Sequence, residues 1–515
     1  MKKGIIIIDF GSQYTQLIAR RIRELNVNCE IHPYNKITKV LLIEANPRGI
    51  ILSGGPNSVL KKNSPKFPNI LLKCNIPILG ICYGLQLIVS LFGGKIEKSI
   101  SREYGHSTLN IIKKSKLIPP EWYKKPPQVW MSHGDHVSTS PKGFSVIAKS
   151  KNKIISIIES TKKNIYGLQF HPEVYHTSLG TKLLSNFIFK ICKTQPNWFL
   201  EDFINTKINE IRSEVKNSRV VCGLSGGVDS TVAAYLLHKA IKLQLYCIFV
   251  DHGLLRKNEK KEVVSFYKKK FKKNFIHVDA SRIFLKKLKN VIDPEKKRKI
   301  IGKTFIQVFE KEANKILNVK YLAQGTLYPD IIESIPFFGG PTAKIKSHHN
   351  VGGLPKKMKL KILEPLRELF KDEVRVLGKK LHIQTKIISR HPFPGPGLAI
   401  RLPGLITKDK INILQNIDDI YIQYLKEKKL YDHIWQAFAV LLPIKSVGVM
   451  GDERTFSYCC AIRAVTSVDG MTADFYMFSK KELTEISSRI INNVKGVNRV
   501  LYDFTSKPPG TIEWE

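Results

Sequence analysis

Cysteine is scarce in this chain and carries no pattern. Eight cysteines are spread over 515 residues, at positions 29, 74, 82, 192, 222, 247, 459 and 460. None forms a C-x-x-C pair, so zinc ribbons, iron–sulfur ligation and thioredoxin-type exchange find no support. Eight are also too few for a disulfide scaffold. Long apolar runs are missing as well: nothing approaches the roughly 18 residues of a membrane span. The run Ile5–Ile8 is broken by Asp9, far short of the roughly 7–15 residues of a secretory core. A soluble protein in a reducing, cytoplasmic setting is expected, with no membrane partner. Acidic residues are in deficit, 43 against 84 basic ones, which gives a net charge of +41. Such a charge invites a nucleic-acid reading. The lysines, however, run along the whole chain and do not gather in one arm, as drift toward AT-rich codons would leave them. No nucleic-acid partner is expected. The composition, 43% hydrophobic and 25% charged, is that of a globular protein. At roughly 100–200 residues per domain, the length predicts about three or four domains.

In the first region, short apolar runs alternate with helical spacing. Gly4–Ile8, Gly49–Leu52 and Ile76–Ile81 read as strands buried on both faces; Tyr14–Leu25 and Gly84–Leu91 read as helices. That alternation predicts right-handed βαβ units and a doubly wound parallel sheet, with chemistry beyond the carboxyl ends of its strands. Gly80-Ile81-Cys82-Tyr83-Gly84 is a cysteine version of the G-x-S-x-G elbow. Its glycines permit a tight strand-to-helix turn, and the following helix dipole favours the thiolate. Gly54 and Gly55 follow another strand and offer N–H groups to an oxyanion. Tyr166–Phe170 leads into His171-Pro172-Glu173, where His171 can carry the thiol proton and Glu173 can orient the imidazole. These residues, with Gln86, resemble the class I glutamine amidotransferases over roughly the first 190 residues. The resemblance implies attack of Cys82 on the glutamine side-chain amide, with Gly54, Gly55 and Gln86 at the oxyanion and glutamine pocket. It also covers Met131–Asp135, where His133 is given no catalytic role.

The second region opens with an amphipathic linker helix, Asn197–Asn217, followed by strand Arg219–Leu224, Ser225-Gly226-Gly227-Val228-Asp229-Ser230-Thr231 and helix Val232–Lys242. A strand, a glycine turn and a helix N-terminus together make an anion site. The Walker pattern G-x-x-x-x-G-K-[ST] is absent, and the loop offers no lysine for γ-phosphate transfer. Asp330 and Glu333 suit either magnesium or turn and capping roles, so metal ligands stay unassigned. Lys268–Lys273 reads as a solvated helix end. The 225–231 loop resembles the SGGxDS signature of N-type ATP pyrophosphatases, which implies ATP binding by Ser225, Gly226, Gly227, Val228, Asp229, Ser230 and Thr231, and Mg²⁺ with the ATP. The stretch 347–354, rich in glycine and polar residues, is expected to be a mobile lid.

His391-Pro392-Phe393-Pro394-Gly395-Pro396-Gly397 reads as a rigid hinge. Beyond it, helix Lys408–Lys428, strands Pro443–Val449, Cys460–Val465 and Arg499–Phe504, and helix Ile486–Val494 predict a small α+β domain. Its proline-stiffened segment Lys507–Glu515 is expected to be docked. The predicted layout is α/β: two doubly wound parallel-sheet domains, 1–196 and 197–391, and an α+β dimerisation domain, 392–515. The fused arrangement resembles the glutamine-hydrolysing GMP synthetase family over its full length. The most telling segments are SGGVDST at 225–231, Asp293–Ile301, KSHHNVGGLP at 346–355, HPFPGPGLAIR at 391–401 and KPPGTIEWE at 507–515. The resemblance implies GMP synthesis from xanthosine monophosphate (XMP), ATP and glutamine through adenylyl-XMP, a homodimer, and XMP contacts from Arg298, Lys507, Ile512 and Glu513. Gly510 departs from the alanine expected there and adds freedom. Ile335–Ala343 matches no family segment. The alternative is an SGGxDS pyrophosphatase that modifies tRNA; the paired cysteines or cluster usual for that chemistry are missing.

Overall fold

In the computed structural model the apolar runs of the first region become the centre of one sheet. The structure describes residues 3–334, 360–450, 452–467, 472–507 and 509–515. The expectations for Ile335–Ala343 and for the lid at 347–354 lie outside the described residues. The chain divides into two units, one within residues 3–203 and the other spanning 204–515.

The first unit holds nine strands: β1 (Ile5–Asp9), β2 (Cys29–Pro33), β3 (Gly49–Leu52), β4 (Ile78–Ile81), β5 (Lys95–Ile111), β6 (Gln128–Thr139), β7 (Ser145–Ser150), β8 (Ile155–Ser160) and β9 (Ile165–Leu168). Their order is β2-β1-β3-β4-β9-β8-β7-β5-β6. The five strands from β2 to β9 are parallel, as the apolar runs predict, and β8, β7, β5 and β6 extend the sheet antiparallel. This extension escapes a search for apolar runs, because β5 and β6 are long ribbons with mostly polar sequences. Strands β1, β3, β4 and β9 are buried along their whole length, so their carboxyl ends deliver side chains to one rim of the sheet.

The chain leaves this unit through a fastened segment. Asn197 accepts from Asn28 N at 2.8 Å and donates to Lys3 O at 2.6 Å. The Arg23 guanidinium lies 3.5 Å from the centre of the Trp198 ring, and both side chains are buried. The helix Leu200–Val215 comes next.

In the second unit, β10 (Arg219–Leu224), β11 (Leu245–Asp251), β12 (Phe275–Asp279), β13 (Val319–Ala323) and β14 (Lys361–Leu363) form a parallel sheet ordered β12-β11-β10-β13-β14. A smaller sheet joins β15 (Gln436–Met450), β16 (Glu453–Thr466), β17 (Asp474–Phe475) and β18 (Val497–Asp503). One continuous apolar cluster serves both sheets: Ile248, Val250 and Phe284 pack in the same core as Leu398, Leu414, Tyr421, Ala439 and Ile462. Strand β15 is twice the length expected from sequence. Pro443, which cannot donate to a ladder, sits where the pairing with β16 shifts register between Leu441 and Lys445.

Candidate active sites

In the first unit the elbow is as tight as its glycines imply. A Cβ on Gly80 would lie 2.6 Å from the Gly84 carbonyl group, and one on Gly84 would lie 2.5 Å from Leu52 O. Cys82 itself adopts φ 51°, ψ −102°, a sparsely populated backbone region for a residue with a side chain. Its amide donates to Leu168 O at 2.6 Å, which ties the elbow to the end of β9. The helix Tyr83–Leu91 starts at the next residue, so Cys82 is its N-cap.

His171 and Glu173 lie just beyond β9. The Cys82 sulfur acts on the charge of the His171 ring, whose Nδ1 is 2.7 Å from Glu173 Oε1. All three residues are buried, Glu173 completely. Burial by itself would depress the imidazole; the Glu173 charge and the Cys82 sulfur outweigh it and hold the ring well above its ordinary value. The loop is held from several sides. Thr177 Oγ1 donates to His171 O at 2.6 Å, His171 N to Trp130 O at 3.0 Å, and Arg21 Nε to Glu173 O at 3.0 Å. A Cβ on Gly54 would meet the His171 ring at 3.0 Å, so only glycine lets this backbone lie beside the imidazole. The sequence-predicted Gly54, Cys82, His171 and Glu173 therefore converge. Gly55 packs against Phe10 O and Tyr83. Gln86 is buried, and its Nε2 donates to Asp135 O of β6 at 2.8 Å. It thereby fixes the strand whose Ser132 carbonyl lies 3.7 Å from the Cys82 sulfur.

His133, next to Ser132 on β6, sits 3.3 Å from Glu103 Oε2 across the β5–β6 pair. Asn152 and Ser150 also donate to Glu103, and with His133 they hold its carboxyl below its ordinary value although burial pushes it up.

In the second unit the helix after the glycine loop begins at Val228, one turn earlier than expected. Ser230 Oγ and Thr231 Oγ1 both donate to Gly227 O, at 3.2 and 2.6 Å, and stabilise this early start. Gly226 has φ +80°, the left-handed region that favours glycine. Gly227 N donates to Ser225 Oγ at 3.2 Å, and Ser225 Oγ lies 3.1 Å from Ser230 Oγ. Asp229 is paired through Oδ2 with Lys371, which reaches in from the start of helix Lys371–Lys380. Its other oxygen, Oδ1, is buried without a hydrogen-bond partner among the described residues. Sequence reading missed Lys371. Its only signal is a lysine opening a helix 142 residues downstream, which local spacing cannot reveal. Asp330 Oδ2 accepts from Leu327 N at 2.9 Å, the capping role weighed for it, and the Glu333 side chain lies outside the described ones.

Lys507 and residues 509–515 are docked, as expected. Lys507 exchanges main-chain bonds with Ala473 at 2.7 and 3.0 Å. Ile512 is buried against Phe438, Val440 and Val465. Three fully buried cations grip the main chain and carboxylates on either side of it. Arg463 donates to Thr511 O and Ile512 O at 3.1 and 2.9 Å. Arg401 binds Glu513 with both forks, at 2.8 and 3.1 Å, and Gln436 adds a third bond at 2.6 Å. Lys297 pairs with Glu515 at 2.6 Å, and neighbouring Arg298 donates to the Glu515 main-chain oxygen. Arg298 thus meets Glu515, two residues beyond Glu513, while Glu513 is held by Arg401 and Gln436 and Lys507 by Ala473. At Gly510 a Cβ would press on Thr505 Cγ2 at 3.1 Å and touch Ser506 O at 3.4 Å, and φ lies outside the left-handed region, so the backbone there does not call for the freedom of glycine.

Two histidines of this unit contrast with His171. His391 stacks on Tyr431 with ring centres 3.7 Å apart; its Nε2 donates to Tyr431 O at 2.9 Å and its Nδ1 accepts from Ala437 N at 3.2 Å. His252 accepts from Leu254 N at 3.0 Å. Burial pushes each ring down to about 4.

Residues 6–191 match the family model for glutamine amidotransferase class-I, residues 199–303 that for NAD synthase, and residues 423–514 that for the GMP synthase C terminal domain. The GMP synthase (glutamine-hydrolyzing) of Bradyrhizobium diazoefficiens is 55% identical over 512 residues, 99% of this chain and 93% of that protein. Those of Bartonella henselae and Zymomonas mobilis are 54% and 52% identical, cover 99% and 100% of this chain, and are each covered over 98% of their own length. With this identity along its whole length, the chain belongs to the glutamine-hydrolyzing GMP synthase family.

Proposed function

We propose that the protein makes GMP from XMP, ATP and glutamine. The observation that carries this reading is the presence, in one chain, of a buried Cys82, His171 and Glu173 cluster and a glycine anion loop facing Lys371. In the first unit, Cys82 attacks the glutamine amide carbon. N–H groups around Gly54, Gly55 and the elbow receive the developing oxyanion. His171, held protonated by Glu173, returns a proton to the leaving ammonia, and a water activated by His171 then releases glutamate from the thioester.

In the second unit, the Ser225–Thr231 loop and Lys371 hold the ATP phosphates while the 2-oxygen of XMP attacks the α-phosphorus. Pyrophosphate leaves, and adenylyl-XMP remains. Ammonia then displaces AMP at C2 and gives GMP. Asp229, whose buried Oδ1 has no hydrogen-bond partner among the described residues, fits a cation. Mg²⁺ held there with ATP would neutralise charge on the departing pyrophosphate. Arg298, Lys507, Ile512 and Glu513 are the XMP contacts of this reading. The β15–β16 ribbon supports a homodimer: Ile444, Val447, Val449 and Phe456 each expose more than half of their surface, and Val447 lies opposite Phe456.

The test is ATP–pyrophosphate exchange in the presence of XMP, nicotinate adenine dinucleotide or tRNA, together with GMP formation from glutamine and from ammonium. Exchange should require XMP. Exchange driven by either of the other two and not by XMP would overturn the reading.

A further inference from the structure

Lys297 has no exposed surface, yet it carries an ammonium group. That group donates to Glu515 Oε2 at 2.6 Å and to Leu402 O at 2.8 Å, with Ala399 O at 3.5 Å. A buried charge of this kind persists only when it is paired, and a buried pair by itself adds little stability. What the pair does here is geometric. Lys297 directly precedes Arg298 in the helix Pro294–Ala313, and the two side chains grip the same residue: Lys297 takes the Glu515 carboxylate and Arg298 its main-chain oxygen. Leu402, which accepts from Lys297, directly follows Arg401, the residue that clasps Glu513. One ammonium group therefore joins the helix that carries Arg298, the turn that carries Arg401 and the segment that carries Ile512 and Glu513.

We infer that Lys297 and Glu515 are positioning residues of the synthetase site, a buried pair that sets Arg298 against the 512–513 segment in the spacing that XMP requires. The inference rests on the reading of Arg298, Ile512 and Glu513 as XMP contacts. Neither residue of the pair touches the reacting atoms, so its loss should appear in substrate binding more than in turnover.

The experiment measures ammonia-dependent GMP synthesis by the full chain, with KM for XMP, kcat and unfolding temperature for each variant. Glu515→Gln and Lys297→Met should each raise KM for XMP on the order of ten- to a hundredfold, because small misplacements of binding groups are costly. In both, kcat at saturating XMP and KM for ATP should stay within about threefold of wild type. The double variant Lys297→Met/Glu515→Met removes both charges, and such replacements are commonly near neutral for stability. It should regain the unfolding temperature of wild type and keep the raised KM for XMP. A double variant that recovers both would make the pair merely structural and overturn the inference. So would a wild-type KM for XMP in Glu515→Gln and Lys297→Met. Arg298→Ala separates the underlying reading: if it, too, binds XMP normally, the substrate-site assignment itself fails. If it binds poorly while the pair variants bind well, only the positioning role fails.

Discussion

The two units solve opposite problems. In the first, the reacting groups are already gathered: His171 is hydrogen-bonded to Glu173, the Cys82 sulfur acts on the ring, and the loop that bears His171 and Glu173 is pinned by Thr177, Trp130 and Arg21. In the second, the groups suited to phosphate, cation and nucleotide hold one another. Asp229 is paired with Lys371, Arg298 with Glu515, and Glu513 with Arg401. A covalent catalyst keeps its partners through the reaction, whereas a site that receives charged substrates must exchange its internal pairs for them. The histidines differ in the same sense. All three are buried, but His171 faces a carboxylate and is raised, while His252 and His391 face mainly amides and carbonyls and are lowered.

The sharpest way to break this contrast is Cys82→Ala. Loss of one member of a covalent triad costs several orders of magnitude, so glutaminase and glutamine-dependent GMP synthesis should fall to background. Synthesis from a concentrated ammonium salt near pH 8.5 should stay close to wild type. Loss of both activities in a folded variant would show that Cys82 serves the second site as well. Glu173→Ala should follow the same pattern more mildly, since it only orients and charges His171.

Asp229→Ala is the complement. XMP-dependent exchange and GMP formation should disappear with either nitrogen source, while glutaminase survives. Lys371→Ala should lower exchange on the order of a hundredfold, the usual scale for one electrostatic contact to transferring phosphate. Wild-type exchange in Asp229→Ala would remove the nucleotide chemistry from this loop.

The histidines give a smaller, thermodynamic effect. An unfolded imidazole titrates near about 6.5. For His252 and His391, folded near 4, the unfolded chain binds more protons between those values. The second unit should therefore lose stability as pH falls from about 6.5 to about 4, and level off below. His171 works in reverse: its contribution is complete below the unfolded value and is lost as pH rises through its raised folded value. His391→Gln should flatten the acid slope of the second unit in pH-dependent thermal unfolding and leave the first unit unchanged. An unaltered slope would mean that the ring does not stay neutral. The smallest effect is expected at Gly510→Ala. A Cβ there presses on Thr505 Cγ2 and touches Ser506 O, which offsets the gain from a stiffer unfolded chain, so stability should change by about 0.5 kcal/mol or less in denaturant titrations.

The parallel strands, the elbow, the triad and the anion loop were legible because each is a local pattern, with an apolar run ending in glycine and a chemically marked residue. The long β5–β6 ribbon was not, since its polar, half-exposed strands lack such runs. Lys371, Lys297 and Arg401 were hidden for another reason. A lysine or arginine reads as surface wherever it stands in sequence, and only the fold reveals that Lys297 and Arg401 are buried and what they hold. The antiparallel extension and the shared apolar core of the two later sheets likewise depend on pairings between segments that no local spacing marks.

The fastening of Asn197 and Trp198 has a practical side for anyone who wishes to make the two activities as separate polypeptides. A fragment stopped at residue 196 would leave the buried Arg23 guanidinium without the ring beneath it and the Lys3 and Asn28 main chain without the Asn197 amide. One extended through Trp198 would carry its own seal. The scissile point for such a division therefore falls after Phe203, where the first unit ends and whose ring packs on Trp198, and a glutaminase fragment cut there should unfold at a higher temperature than the shorter one.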